Sequence, residues 1–466
     1  MTEVTRTYDV TIKGLDKKGS GTATIRREEI TGRNKNLKVS VPETLVGEEV
    51  RVTVPNALGR RRANILPDEI LKPHPERVEP ECPHFELCGG CVWQHYSYEG
   101  QLKEKYNSIV KFLEQHDFDT RVVNPVIGMN EEPWHYRNKM EFTFGKNGEL
   151  GLHELGNFRN VIDLETCLIA GKNMTAAMLI VSEWAKRHEL PGYNKDTNVG
   201  LMRHLMIRES QLTGEMMVAL FTTDDPENHK EILDELIESL TTQLPHIESI
   251  MWMKNTDIAD RAQSEDTTTL YGRDFIYDMM SGYKYRVWFD TFFQTNPVQA
   301  QKLVELAIEM ADANEDMKMI DLFCGVGTFS LPFASRVKEL AGIEIVESSI
   351  ESAKRNARDN DIDNTYFLAQ DARRGMDKVL EEWGTPDLVL LDPPRSGAGG
   401  KVMRRIGRLQ TEKVVYVSCN PETFAEDIVW LREFGYELKK VQPVDLFPHT
   451  VHCEIVALLS RVDKKD

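Results

Sequence analysis

A cysteine that leaves an apolar stretch among polar residues is placed to act as a nucleophile, and KVVYVSCNP puts Cys419 in that position. The stretch 413–417 is strand-like, and a helix signal follows in PETFAEDIVWL, so the positive end of a helix dipole can activate the thiol. A buried structural thiol is the commoner fate of a free cysteine. The strand exit and the polar flanks favour the nucleophile here. Glu454 stands in the otherwise apolar TVHCEIVALL. A carboxylate in such a setting is either paired or kept for proton transfer. Cys324 and Cys453 read as core or loop thiols.

A second constellation lies upstream. DLFCGVGTFS, 321–330, ends a strand and opens a helix, and Gly325 and Gly327 allow a tight turn with close approach of backbone to a ligand. Glu344 ends the next strand, 23 residues after Asp321, where a carboxylate can accept from both ribose hydroxyls of an adenosine cofactor. Asp371 and Asp392 end the third and fourth strands, at the sheet edge where open α/β sheets bind ligands. NAD and S-adenosylmethionine both suit Glu344. Ser330 stands where the third fingerprint glycine would be, and no second glycine-rich turn cradles a pyrophosphate. Both features favour S-adenosylmethionine, which has no phosphates.

Positioning these residues requires a regular sheet, and the chain supplies one from about 297 onward. Helical PVQAQKLVELAIEMA leads into the strand MKMIDLF, and strand-like and helical segments then alternate through LAGIEI, SSIESAKRNARDN, TYFLAQD, MDKVLEEW, DLVLLD, GKVMRRIGRLQ and KVVYVSC. Such alternation predicts a mostly parallel sheet with helices on both faces. YELKKVQPVDLF and TVHCEIVALLS, with no helix between them, predict a closing antiparallel hairpin. Residues 1–68 alternate with period two in YDVTIKGL, GTATIRR, KVSVP and EEVRVTV, the pattern of a small β-barrel. LPDEILKPHPERVEPECP reads as an extended connector, and 98–116 as a helix. Segments 125–290 mix strand-like NKMEFTFG, GEMMVALF and IESIMWMK with helical MTAAMLIVSEWAKRH and HKEILDELIESLTTQL, an α+β arrangement. The expected boundaries are therefore 1–68, 69–290 and 291–466.

The 466 residues fit about three domains. A net charge of −18 argues against a simple basic nucleic-acid coat protein, yet residues 1–68 hold 13 basic against 9 acidic side chains, a net of +4 that leaves −22 for the remainder. Arg60, Arg61 and Arg62 form a local phosphate-attracting spot or, equally, a charged strand edge. The first residues lack the apolar core of a secretory signal, and no apolar run approaches the ~20 residues of a membrane helix, so a cytoplasmic location is expected. In that compartment cysteines serve as ligands, nucleophiles or core residues. Cys82, Cys88 and Cys91, with five and two residues between them, and the distant Cys167 give four thiolates suited to zinc or to an iron–sulfur cluster. The five-residue gap speaks against radical-enzyme chemistry.

Taken together, FFQTNP (292–297), DLFCGVGTFS, GIE (342–344), DPPR (392–395), SCNP (418–421) and His452-Cys453-Glu454 resemble the RNA uracil-C5 methyltransferases of the RumA and TrmA type. The N-terminal segment is similar to a TRAM RNA-binding barrel, and CPHFELCGGCVWQ resembles the [4Fe-4S] motif of the RumA branch. The resemblance implies a Rossmann-like methyltransferase domain, a TRAM or OB-like barrel and an α+β central domain. Cys419 would be the nucleophile and Glu454 the base. Gln294, Phe323, Glu344 and Asp392 would line the cofactor and target pocket, with Asp371 a further member. Cys82, Cys88, Cys91 and Cys167 would hold a [4Fe-4S] cluster. Arg137 and Lys139 would contact RNA. The implied substrate is a uridine of 23S ribosomal RNA, the alternative a T-loop uridine of tRNA, and the contrasting class a non-catalytic TRAM RNA-binding protein. The implied partner is RNA, with no DNA and no membrane, and the implied state is a monomer.

Overall fold

The chain is described by a computed structural model over residues 5–26, 36–55, 62–129, 132–258 and 262–462. It divides into two compact units. The first comprises Met1–Glu104, Leu152–Ile162 and Phe447–Val451, the second Lys105–Gly151, Asp163–Leu446 and His452–Asp466.

In the first unit the period-two segments are strands, as expected. Thr5–Thr11, Glu49–Pro55 and Glu69–Lys72 form one antiparallel sheet. Gly14–Leu15, Gly21–Arg26, Asn36–Val41 and Arg62–Asn64 form another. Their alternate apolar side chains, including Ile25, Val39, Val41, Val50 and Val52, share one core, the outcome that strict alternation produces. The connector differs from expectation, because 69–72 pairs with 49–51 as a strand. Buried Glu48 ties the connector down, accepting from Leu45 N, His74 N and the Arg77 guanidinium. Desolvation opposes its ionisation, but these donors prevail and hold the carboxyl below its ordinary range. Arg60 and Arg61 lie outside the described residues, while Arg62 opens a short strand.

The second unit carries the expected doubly wound sheet. We number its strands β1 (Lys318–Leu322), β2 (Glu339–Glu344), β3 (Thr365–Ala369), β4 (Leu388–Leu391), β5 (Lys413–Ser418), β6 (Tyr436–Val444) and β7 (Glu454–Arg461). Their order is β3-β2-β1-β4-β5-β7-β6, with the first five parallel and β7 antiparallel to both its neighbours. The helix expected to follow β1 is only Ser330–Ala334. The core between sheet and helices includes Ile320, Ile343, Leu391 and Tyr416, joined by Ile109 and Leu113.

The same unit holds a second set of strands. Met202–Glu209 is antiparallel to Lys139–Phe144 and Met216–Thr222; the latter runs parallel to Ile247–Lys254, which pairs antiparallel with Asp266–Gly272. Helices Lys172–Arg187 and Lys230–Gln243 accompany it, as the segment pattern predicts. No helix of the described residues is long and apolar enough to cross a membrane.

Candidate functional site

The C-terminal ends of β1, β2, β4 and β5 meet the start of β7 at one edge of the sheet. Register explains the pairing of greatest interest. Ser418 lies opposite Ile455 in the antiparallel β5–β7 ladder, so the next pair outward is Cys419 and Glu454. Cys419 is half-buried, while Glu454 is only 4% exposed. Burial pushes the Glu454 carboxyl up to about 8, with Asp392 adding repulsion and Arg395 opposing it. Burial also drives the Cys419 thiol up to about 12, reinforced by Glu454 and Asp392 and opposed by Arg395. The expected helix dipole is present, since Pro421–Ile428 starts two residues on with Asn420 as its cap. Desolvation and the two carboxylates favour the thiol form.

Two loops are tied together around this pair. Asn420 Nδ2 and Thr423 Oγ1 donate to the Arg395 carbonyl at 3.0 and 3.3 Å. Buried Asp427 accepts from Ala398 N, Gly399 N and the Tyr416 hydroxyl. These bonds tie DPPR to SCNP and hold Arg395 where its charge acts on Cys419. His452 is held neutral, its pKa lowered to about 4 by burial and by the charges of Arg395, Lys105 and Arg137.

The loop after β1 has the shape of a ligand cradle. Phe323, Gly325 and Gly327 have φ of 62°, 53° and 91°, a left-handed path that costs least at glycine. Phe323 N and Cys324 N donate to the Ile343 carbonyl. Asn356 Nδ2 donates to the Val326 carbonyl. Ser330, at the absent glycine's place, donates to Asp321 Oδ2 at 2.5 Å. The other oxygen, Oδ1, is buried without a hydrogen-bond partner among the described residues. Burial, with Asp392 and Glu344 adding repulsion, raises the Asp321 carboxyl to about 7. An orphan acceptor beside a glycine turn fits a ligand with a cationic amine, and sequence reasoning had not assigned Asp321 that place. Glu344 accepts from Val346 N. Ile345 and Val346 beyond it are 70% and 48% exposed, an apolar surface fitting a purine ring next to a ribose-binding carboxylate.

The remaining expected residues fall as follows. Gln294 is buried, and its carbonyl accepts from Asn138 Nδ2. Asn138 N donates to the Thr295 carbonyl, and the buried Arg208 guanidinium donates to the Thr291 carbonyl, so 291–295 is stapled at three points. Asp371 caps Ala372–Trp383, accepting from Arg373 N and facing its guanidinium. Cys82, Cys88 and Cys91 stand in the first unit and Cys167 in the second. Among the described residues no group of three or more histidine, cysteine, aspartate or glutamate side chains is arranged to hold a metal ion.

The raised carboxylates give this edge a pH signature. The native state retains protons on Glu454, Asp392 and Asp321 that the unfolded chain releases nearer pH 4. Their stabilising contribution is therefore complete below about pH 4 and is lost as pH rises through about 7 to 8. The thermal midpoint is expected to fall between pH 6 and 8.5, and less so in Glu454→Gln. Equal slopes in the two proteins would show that Glu454 does not titrate there.

The strand order and the carboxylate-lined edge define an S-adenosylmethionine-dependent methyltransferase fold. A family model described as tRNA (Uracil-5-)-methyltransferase matches residues 97–462. The chain is 35% identical over 464 residues to an uncharacterized RNA methyltransferase of Clostridium tetani, covering 98% of this chain and 97% of that protein. It is 36% identical over 456 residues to another from Halalkalibacterium halodurans, covering 97% and 96%. Among solved structures it is similar to the Pyrococcus abyssi tRNA (uracil-54, C5)-methyltransferase in complex with S-adenosyl-L-homocysteine, with a TM-score of 0.74 and 26% identity over 97% of this chain and 99% of that one. The chain belongs to the RNA uracil-5-methyltransferase family, and it is an enzyme that uses S-adenosylmethionine.

Proposed function

We propose that the protein methylates C5 of a uridine in 23S ribosomal RNA through a covalent Cys419 adduct, with Glu454 as the base. The observation that carries the chemistry is the Cys419–Glu454 pair brought together by the β5–β7 register. Uracil C5 is a weak nucleophile. Addition of the Cys419 sulfur at C6 converts the ring to an enolate whose electron density lies on C5. S-adenosylmethionine would supply a methyl group on a sulfonium; as C5 bonds to that methyl the methyl–sulfur bond breaks, and the neutral thioether S-adenosylhomocysteine leaves. Glu454 removes the C5 proton, and the electron pair released re-forms the C5–C6 bond and expels Cys419. The uridine must leave its stack to reach both groups. Glu344, Phe323, Gln294 and Asp392 hold the donor and the target. Asp371 supports the pocket through its helix cap, while Arg137 and Lys139 engage the RNA.

The choice of 23S RNA rests on the TRAM-like N-terminal strands and on the cysteine motif. Two observations favour tRNA instead: the matching family model is described as tRNA (Uracil-5-)-methyltransferase, and the Pyrococcus abyssi tRNA enzyme is similar over 97% of this chain. Mapping 5-methyluridine in both RNAs, with and without the protein, decides between them. A protein-dependent 23S position supports the proposal, and a protein-dependent tRNA position alone overturns it.

The segment CPHFELCGGCVWQ, with Cys167, supports a [4Fe-4S] cluster of structural role, and no step of methyl transfer runs through it. Protein purified without oxygen is expected to be brown, with about four iron and four sulfide per chain. A colourless protein with stoichiometric zinc would overturn the cluster.

A further inference from the structure

Outside the site described above, the second unit contains a cavity of about 760 Å³ lined by Trp134, Tyr136, Lys172, Glu209, Gln299 and Lys302, among others. None of the proposed catalytic or donor-binding residues lines it. Its wall is fixed firmly. His135 adopts a left-handed φ of 54°, a strained backbone that persists only where surroundings impose it. Here His135 N donates to the Leu168 carbonyl, Arg137 N to the Ile169 carbonyl and Gly171 N to the Arg137 carbonyl. The Glu209 carboxylate accepts from Asn173 Nδ2 at 2.6 Å. Its other oxygen sits so close to Gly171 that a Cβ there would meet it at 2.4 Å.

The polar groups of this cavity are matched to a ligand that donates hydrogen bonds. Gln299 is fully buried, and its Nε2 donates to the Asp445 carbonyl at 2.9 Å. Glu209 supplies the acceptor that faces the cavity, and Trp134, partly exposed, provides a ring for stacking. Lys172 and Lys302 bring two cations to the same walls, suited to a phosphodiester. Gln299 also lies in the helix Pro297–Ala311, directly after the stapled segment that carries Gln294.

We propose that this cavity binds a second, unstacked nucleotide of the substrate RNA, flanking the target uridine and carrying an exocyclic amine. The inference rests on the proposal that RNA uridine is the substrate. The base stacks on Trp134, its amine donates to Glu209, and its backbone phosphate meets Lys172 and Lys302. Uracil, which lacks the amine, is disfavoured there.

The test uses full-length protein, saturating methyl donor and a transcript carrying the uridine that the wild type methylates. Trp134→Ala is expected to raise KM for RNA about tenfold, and Glu209→Gln and Lys302→Glu several-fold, with kcat at saturating RNA within about twofold of wild type. Replacing each nucleotide near the target in turn by 2-aminopurine is expected to reveal one position whose fluorescence changes on binding wild type but not Trp134→Ala. Uridine at that position weakens binding to a similar degree as Glu209→Gln. Should Trp134→Ala fail to fold by circular dichroism, Lys302→Glu on the helix carries the test alone. A wild type that methylates RNA, with all folded variants keeping its KM, overturns the cavity assignment. A wild type that methylates neither RNA overturns the proposed function, and this inference with it.

Discussion

Cys419→Ala is expected to reduce methyl transfer by about 10⁴-fold or more while leaving S-adenosylhomocysteine affinity within about twofold. The two readouts separate because the thiol and the donor cradle come from different loops. The cradle is built after β1 and β2, from Phe323, Gly325, Gly327 and Glu344, whereas Cys419 follows β5. Removing the sulfur leaves C5 of the target without the enolate that makes it nucleophilic, and no neighbouring group replaces that role. Cys324 and Cys453 are buried, and desolvation drives both thiols upward, so neither is a substitute nucleophile. Turnover by Cys419→Ala within tenfold of wild type, with donor binding intact, would overturn the covalent route. Loss of donor binding along with activity would instead point to a folding defect, which titration calorimetry with S-adenosylhomocysteine detects.

On the proposed mechanism, burial favours the thiol form of Cys419 in the free protein, and its proton leaves as substrate arrives. Arg395 is the fixed positive charge that favours this, and the donor's sulfonium acts in the same direction. Glu454, itself raised to about 8, has the proton affinity expected of a carboxylate that exchanges protons near neutrality.

Much of this fold was legible because the pattern was local. From β1 to β5 short strands with apolar centres alternate with helices, so the strand ends, and with them Glu344, Asp392 and Cys419, could be placed by counting. The hairpin of β6 and β7 was legible too, but its insertion was not. Nothing in the sequence of 454–461 specifies that it enters between β5 and β6, yet that step alone brings Glu454 beside Cys419. The strand Met202–Glu209 was missed for a different reason. It is buried along nearly its whole length, although Arg203 and Arg208 interrupt its apolar run. Those charges are accommodated by distant partners. Arg203 donates to the Asn255 carbonyl and side chain and stacks 4.4 Å from the Tyr193 ring, while Arg208 reaches the Thr291 carbonyl. Periodicity has no access to such pairings. Likewise, Ser330 looked like a missing glycine and instead holds the Asp321 carboxyl.

Glu454→Gln is expected to trap a covalent protein–RNA adduct that survives denaturing electrophoresis. After the methyl group arrives, the C5 carbon carries both methyl and hydrogen, and Cys419 remains bonded to C6. Elimination requires the C5 proton to leave first, and glutamine has no basic oxygen of comparable proton affinity. Geometry favours retention of everything else. Glutamine is nearly isosteric, the position is buried at the start of β7 opposite Val444, and losing the carboxylate lowers the charge that opposes the Cys419 thiolate. Adduct formation should therefore proceed while release slows by several orders of magnitude, giving a band that requires both RNA and S-adenosylmethionine and carries the transferred methyl. The double variant Cys419→Ala with Glu454→Gln is expected to show no band. Absence of an adduct in Glu454→Gln, with an RNA that the wild type methylates and with donor binding retained, would remove Glu454 from the role of base. An adduct that forms and resolves at the wild-type rate would do the same, and would direct attention to Asp392, the carboxylate that shares this edge and is likewise raised to about 7 by desolvation.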